Sequence, residues 1–280
     1  MQGHLRKMRV KLDKPVQYEL LLSDQAMPLN PVIGKPIKLT YTGKIFCVHC
    51  GRATKKSFNQ GYCYPCFISL AQCDMCIMKP ETCHYAAGTC REPAWGESFC
   101  MQTHYVYLAN SSGIKVGITR ENQIPTRWID QGAVQALPIF KVKSRYISGL
   151  VEVAIAKHIS DKTSWQQMLK NNVEQIDLAA KRDELMSICK TELADITQCF
   201  GSQAIEWLTD EKAVELHYPV IRYPDKVKSF NLDTNPIVSG ILEGIKGQYL
   251  LLNTGVINLR KYSGYELDFS ESDKVDELLQ

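Results

Sequence analysis

The distribution of apolar residues along the chain predicts β-structure at both ends and helices between them. Apolar and polar residues alternate over residues 18–22 and 37–41, and proline and glycine separate these two runs. Short apolar runs return over residues 237–242, 249–252 and 256–259. Alternation with a period of two residues is typical of strands that bury one face. The pattern therefore predicts N-terminal strands and a small C-terminal antiparallel barrel or sheet, which the N-terminal strands could complete.

The central part of the chain changes from a strand period to a helical one. The runs 105–108 and 114–118 flank a glycine-containing turn, which predicts a β-hairpin. Residues 149–159 and 173–200 then place apolar side chains at the three- and four-residue spacing of amphipathic helices. Strands and helices thus occupy different parts of the sequence, and the predicted fold class is α+β.

These patterns divide the chain into five predicted segments. They are an N-terminal β segment (1–46), a zinc-binding module (47–103), an α/β domain (104–165), a helical arm (166–208) and a C-terminal β domain (209–280). A chain of 280 residues with 45% hydrophobic content has enough apolar material for more than one core.

The assignment of a zinc-binding module rests on its cysteines. Eight of the eleven cysteines lie in this segment as three Cys-x-x-Cys pairs and two single residues: Cys47, Cys50, Cys63, Cys66, Cys73, Cys76, Cys83 and Cys90. Zinc takes four soft ligands in a tetrahedron, and a two-residue gap lets both sulfurs of a tight turn reach one ion. Eight thiolates are enough for two structural Zn2+ sites. A redox role is the weaker alternative, because no pair has the strand and helix context of a thioredoxin.

The sequence leaves two ligand arrangements open. In the sequential arrangement the first four cysteines hold one ion and the last four hold the other, whereas in the crossed arrangement the pairs interleave. The twelve residues between Cys50 and Cys63 suit a hairpin and favour the sequential arrangement, and the first four cysteines resemble a zinc ribbon or treble clef. Four other side chains could replace a cysteine as ligand: His49, His84, Cys100 and His104.

The distribution of charge and the lengths of the apolar runs limit which functions and locations we expect for the protein. The net charge is +3, with basic residues in excess over residues 1–66 and acidic residues in excess over residues 163–280. A basic front half fits contact with a polyanion, and there is no basic amphipathic helix to favour a membrane surface. No apolar run has the length of a signal peptide or of a transmembrane helix. We therefore expect a cytoplasmic protein, whose cysteines stay reduced and available for metals.

The α/β domain carries short motifs whose order is informative. A Tyr-Val-Tyr triplet ends at Tyr107, and a Lys-Val-Gly triplet begins at Lys115; Arg127 follows on the next predicted helix and Glu152 on a later one. This layout resembles the GIY-YIG nuclease superfamily, in which a hairpin carries two such triplets ahead of an arginine and a metal-binding glutamate. The lysine in the second triplet is similar to the phage-type branch, whereas Tyr105 replaces the first glycine. Zinc cysteines ahead of such a domain are also similar to a bacterial family of unknown function.

The resemblance implies a site for phosphodiester hydrolysis. Tyr107 would orient or deprotonate the attacking water, and Lys115 would hold a phosphate or lower the pKa of the phenol. Arg127 would donate to phosphate, and Glu152 would bind Mg2+ or Mn2+. Three neighbouring side chains are candidate contacts to nucleic acid: His104, Tyr105 and Arg120.

The leading interpretation is therefore a zinc-stabilised protein that acts on nucleic acid as a divalent-metal-dependent phosphodiester hydrolase. The alternative is a noncatalytic zinc-containing module that binds RNA or another protein on a degenerate nuclease scaffold. A third possibility is a purely structural interaction module, which would bind zinc without any affinity for nucleic acid. DNA and RNA fit the sequence patterns equally well.

Overall fold

The computed structural model describes residues 1–159 and 163–272. Within these ranges there are fifteen strands: β1 Gln2–His4, β2 Arg9–Lys11, β3 Gln17–Leu22, β4 Gln25–Pro28, β5 Pro36–Phe46, β6 Ala53–Thr54, β7 His104–Asn110, β8 Ile114–Arg120, β9 Gln135–Val142, β10 Ile205–Trp207, β11 Val214–Glu215, β12 Ile237–Lys246, β13 Tyr249–Leu252, β14 Gly255–Asn258 and β15 Tyr265–Glu271. Parts of the predicted α/β and C-terminal domains, residues 160–162 and 273–280, lie outside the described residues.

The same ranges contain seven α-helices: α1 Tyr64–Ser69, α2 Pro93–Phe99, α3 Thr126–Asp130, α4 Arg145–Ala156, α5 Trp165–Leu169, α6 Leu178–Ile188 and α7 Lys190–Phe200. The single helix expected over residues 173–200 is divided into α6 and α7 at Cys189, whose buried side chain faces α4. None of the helices in the described part of the chain is both long enough and apolar enough to cross a bilayer.

The largest sheet joins the two ends of the chain. It has seven strands in the order β1-β15-β5-β12-β13-β14, and β6 pairs with β5. All the pairings are antiparallel, and β5 lies between the C-terminal strands β12 and β15. The predicted completion of the C-terminal strands by N-terminal ones is therefore confirmed. The barrel alternative is wrong for the described residues, because β1 and β14 lie at opposite ends of the strand order and do not pair with each other.

Two smaller sheets complete the β-structure. Strands β2, β3 and β4 form a three-stranded antiparallel sheet. The predicted hairpin is confirmed as β7 and β8, which belong to a sheet with the order β10-β9-β7-β8, where β11 pairs with β9. In this hairpin Tyr107 lies opposite Gly117 and Ala109 lies opposite Lys115. Directly opposed residues project from the same face of an antiparallel pair, so Tyr107 and Lys115 share one face.

The hairpin sheet lies between two hydrophobic cores. Tyr107 and Ala109 face the core that the larger sheet and α3 also line. Val106 and Leu108 face the opposite way, into a core completed by α4, α6 and α7. Strand β7 is buried on both faces, which explains why its sequence is an almost unbroken apolar run.

Helix α4 packs directly on the cysteine-rich segment. Its N-cap is Ser144, whose hydroxyl accepts a hydrogen bond from the Ile147 amide and satisfies one free donor of the first turn. On the next turn, Gly149 lies against the short 3-10 turn Pro80–Thr82. A Cβ at Gly149 would approach the Glu81 nitrogen to 2.5 Å and Pro80 Cβ to 2.6 Å. Only glycine allows this distance between helix and turn.

We expect Gly149→Ala to destabilise the protein. Alanine in a helix interior is ordinarily more stable than glycine by about 1 kcal/mol. Here the added methyl group collides with backbone atoms, and overpacking of this kind costs about 1–3 kcal/mol. Thermal and denaturant unfolding would measure the loss. Val153→Ala, on the exposed face of the same helix, is the control and should change stability little. A Gly149→Ala variant more stable than the native protein would contradict the packing described.

Candidate functional site

The first four cysteines form a compact cluster. The sulfurs of Cys47, Cys50, Cys63 and Cys66 all lie within 4.8 Å of one another, and those of Cys50 and Cys63 are 3.7 Å apart. Cys47 follows strand β5, and a tight turn in which the Gly51 amide donates to the Cys47 carbonyl carries Cys50. The other pair brackets the first turn of α1. The sequential arrangement therefore holds for these four residues.

Backbone donors and burial have opposite effects on the pKa of these thiols. Burial acts to raise the pKa of Cys47, but backbone N–H groups of Cys50, Cys63 and His49 lower it to about 6. Burial and the hydrogen bonds that the Cys66 thiol donates to the other three sulfurs raise the pKa of Cys66. One sulfur thus carries negative charge readily while a neighbour retains its proton. Four sulfurs in this geometry match the tetrahedral set that structural Zn2+ takes, and the cluster could hold zinc.

The remaining cysteines of the module do not all lie together. Cys73 packs with Cys47, Cys63 and Cys66 in a small hydrophobic cluster beside α1. Cys76, Cys83 and Cys90 instead line a second, enclosed cavity, in the company of Cys100. Of the possible replacement ligands, His84 lies at this cavity, where one of its ring nitrogens is within 4.8 Å of the Cys76 sulfur and an Asp74 oxygen.

Tyr107 lies on an interior strand of the hairpin sheet and contacts residues of α3 and its C-terminal end. The Tyr107 hydroxyl donates to Gln131 Oε1 at 3.0 Å, and its ring lies edge-on to Trp128 with centroids 6.0 Å apart. Gly117 lies beneath the ring, and a Cβ there would be 2.8 Å from the hydroxyl oxygen. The glycine of the second triplet is therefore required by the tyrosine of the first.

Electrostatics tie Tyr107 to Arg127 and Glu152. Burial raises the pKa of Tyr107; Arg127, which hydrogen-bonds the phenol, opposes this rise, and Glu152 adds to it. Burial also raises the pKa of Glu152 to about 7, although Arg145 and Arg127 both act to lower it. Arg127 therefore acts on two of the other predicted catalytic residues, Tyr107 and Glu152. Lys115 lies on the same sheet face as Tyr107, opposite Ala109.

The three predicted nucleic-acid contacts have different environments. The Tyr105 hydroxyl donates to Glu121 at 3.2 Å, and the Arg120 guanidinium stacks on the Phe99 ring at 4.3 Å. His104 is completely buried; its Nδ1 donates to the Gln102 carbonyl at 2.8 Å, and burial lowers its pKa to about 4. Its burial favours a structural role, because a neutral side chain with no exposed surface cannot reach a phosphate.

Two residues that the sequence did not single out lie beside Glu152. Arg145 begins α4, and its Nη2 donates to the Ile77 carbonyl at 2.6 Å. Glu81 comes from the cysteine-rich segment and contributes to the raised pKa of Glu152. Arg145 and Glu152 are seven residues apart, which places both on one face of the helix. This spacing could have identified Arg145 as a neighbour of Glu152 from the sequence. Nothing in the sequence around Glu81 indicates its place, which depends on the contact at Gly149.

We expect the purified chain to contain zinc at the four-cysteine cluster, and we expect Cys63→Ser to contain one ion fewer. Loss of a structural zinc removes folding free energy, so the variant should also unfold at a lower temperature. Elemental analysis and thermal denaturation measure the two effects. Cys199→Ser, which alters an exposed thiol on α7, is the control. Undiminished zinc in Cys63→Ser would rule out this ligand set.

We expect Glu152→Gln to stabilise the protein at high pH only. The carboxyl ionises near its ordinary pKa of 4.5 in the unfolded chain but near 7 in the folded one. Between these values the unfolded chain loses the proton first, so the free energy of unfolding falls as pH rises. Glutamine removes this penalty, which amounts to about 1–3 kcal/mol above pH 7.

Denaturant unfolding at a series of pH values measures this effect. The difference between Glu152→Gln and the native protein should be close to zero under acidic conditions and should grow to its full value above neutrality. Glu184→Gln, on the exposed surface of α6, controls for the loss of one negative charge. A difference that is the same at every pH would show that Glu152 ionises normally.

Comparison with known proteins gives a family without an assigned activity. No curated protein and no solved structure matches the chain. The family described as "Protein of unknown function (DUF2797)" matches residues 34–267, which include both the four-cysteine cluster and the group around Tyr107. This match covers most of the sequence, and the chain belongs to the DUF2797 family.

Proposed function

We propose that this chain is a divalent-metal-dependent phosphodiesterase of the GIY-YIG type that acts on nucleic acid and is stabilised by zinc. The observation that carries the proposal is that burial raises the pKa of both the Tyr107 phenol and the Glu152 carboxyl, while a single guanidinium, that of Arg127, opposes both rises. Strongly perturbed carboxyl groups with defined charge partners are concentrated at functional sites.

The positions of these residues in the fold support the proposal. Tyr107 and the second triplet lie on the paired strands β7 and β8, Arg127 lies on the following helix α3, and Glu152 lies on the later helix α4. This order of elements is the one that the resemblance implies. The close approach of Gly117 to the Tyr107 ring explains why the Lys-Val-Gly triplet ends in glycine.

The donor set fits a hard divalent cation. Glu152 offers carboxylate oxygen, and Glu81 adds a second negative charge near it. Oxygen ligands of this kind bind Mg2+ or Mn2+, which would polarise a phosphate and stabilise the leaving oxygen. Because the pKa of Glu152 is about 7, the carboxylate becomes fully available only above neutral pH.

The chain's own residues would position the phosphodiester. Arg127 offers a planar fork of donors to the phosphate oxygens, and Lys115 projects from the sheet face that carries Tyr107. Burial keeps the Tyr107 phenol protonated, so this hydroxyl orients an attacking water by hydrogen bonding and does not remove its proton at neutral pH. Nucleic acid is the partner that this proposal requires; that partner and the cytoplasmic location stay predictions.

One observation favours a second candidate function. Tyr107 is completely buried, so a phosphate can reach its hydroxyl only if neighbouring side chains move. A noncatalytic protein that binds RNA or another protein would retain the buried tyrosine as a packing residue. In that case the zinc module supplies a rigid binding surface and the hairpin serves as its scaffold.

Cleavage assays on the full chain distinguish the two candidates. The zinc-loaded protein is incubated with structured and single-stranded DNA and RNA, with and without Mg2+ or Mn2+. We expect metal-dependent cleavage that increases as pH rises through about 7, where Glu152 loses its proton. Glu152→Ala should reduce the rate by at least about 100-fold, which is the effect of removing one preorganised charged group. Glu184→Ala should not change it.

Two results would contradict the nuclease proposal. One is the absence of cleavage with either metal on every substrate, and the other is equal cleavage by Glu152→Ala and the native chain. Binding of RNA without cleavage, unchanged by Glu152→Ala, is the result that the second candidate predicts.

A further inference from the structure

A second metal site is indicated by the cavity that Cys76, Cys83, Cys90 and Cys100 line. The four cysteines come from separate places in the chain. Cys76 lies in the 3-10 turn Met75–Ile77, Cys83 follows the turn Pro80–Thr82, Cys90 lies in the loop before α2, and Cys100 ends that helix. None of them is adjacent to another in sequence, so they reach the same cavity only through the tertiary structure.

The cavity between these cysteines is small. Its free volume is about 10 Å3, close to the smallest space that holds one water molecule. Gly96 of α2 closes one wall, where a Cβ would lie 3.2 Å from the Cys90 sulfur. A space of this volume holds no more than one small ion or water molecule unless the surrounding turns move.

Cys73 does not belong to this group. It packs with the sulfurs of the first cluster beside α1 and does not line the cavity. The sequence predicted Cys73 as the partner of Cys76 because a two-residue gap joins them. The fold instead gives Cys76 a partner 24 positions further along, at Cys100.

Two other potential ligands at the cavity, Asp74 and His84, have polar partners of their own. Asp74 accepts from the Arg91 guanidinium at 2.7 Å and also lies 3.5 Å from His84 Nε2. The other ring nitrogen of His84 pairs with the Thr89 hydroxyl at 2.8 Å. These contacts neutralise the carboxylate and fix the imidazole, whereas the four thiols are soft ligands that can provide a complete tetrahedron.

We propose that Cys76, Cys83, Cys90 and Cys100 bind a second structural zinc ion. In the described residues only the first cluster and the trio of Asp74, Cys76 and His84 bring three or more potential ligand atoms within 4.8 Å of one another. The four sulfurs must therefore move inward to reach the bond length of about 2.3 Å. They lie on short turns, loops and a helix end, which can contract around an ion without breaking a sheet.

The second ion would fix the start of helix α4. The Cys100 carbonyl accepts from the Arg145 amide at 2.8 Å, and the carbonyl of Ile77, next to Cys76, accepts from the Arg145 side chain. The backbone amide and the guanidinium of Arg145 therefore both bind residues at or beside the proposed ligands. The ion acts on the orientation of the helix that carries Glu152, whether or not this residue has a catalytic role.

Zinc analysis of the full chain and its variants tests the proposal. We expect about two zinc ions per chain in the native protein and about one in both Cys100→Ser and Cys90→Ser, since each leaves the first cluster intact. Cys73→Ser and His84→Ala are the matched controls and should retain the native content. The ion that remains in Cys100→Ser also shows that the rest of the module is folded.

Several results would overturn this assignment. They are one zinc ion in the native chain, loss of zinc from Cys73→Ser or His84→Ala with none from Cys100→Ser, or iron with sulfide in place of zinc. X-ray absorption at the zinc edge of the native protein needs no variant. It should show only sulfur ligands, at about 2.3 Å, and a shell that contains nitrogen or oxygen would exclude two four-cysteine sites.

Discussion

Strand β7 contributes buried side chains to two hydrophobic cores, and this double burial determines where the hairpin lies. Tyr107 and Ala109 face one core, and Val106 and Leu108 face the other. A shift of one position would turn Tyr107 toward the core that now holds Val106 and Leu108. The register of the hairpin is fixed in this way, and it sets Gly117 opposite Tyr107. The position of the tyrosine hydroxyl therefore follows from hydrophobic packing and not from the polar residues around it.

Features set by neighbouring residues could be predicted from the sequence, and features set by distant contacts could not. The first four cysteines were paired correctly because each pair closes a short local turn. The hairpin followed from two apolar runs around a glycine turn. The division of the long helix at Cys189 was not predicted, because the apolar period continues through this residue and only the packing against α4 shows the break.

The same distinction applies to the residues of the polar site. Tyr107, Arg127 and Glu152 were predicted through the order of short motifs, and burial, Arg127 and Glu152 all act on the pKa of Tyr107. Glu81 was missed because its approach to α4 needs the missing side chain at Gly149, 68 positions away. Cys100 was only one of several possible ligands for a similar reason: its nearness to Cys76 depends on how α2 folds back onto the 3-10 turns.

The charges around α4 connect the cysteine cavity with the polar site around Tyr107. Arg120 and Arg145 are partly or largely buried; burial lowers the pKa of both, and the charge of Arg145 lowers that of Arg120 further. Arg145 also lies close enough to Arg127, Glu152 and the cavity cysteines to be affected by all of them. Burying guanidinium groups beside one another costs free energy unless negative charge compensates. Cys76, Cys100 and Glu152 supply that charge only when they lose their protons, because burial raises the pKa of all three. The cysteine cavity and the polar site therefore act on the same side chain, that of Arg145.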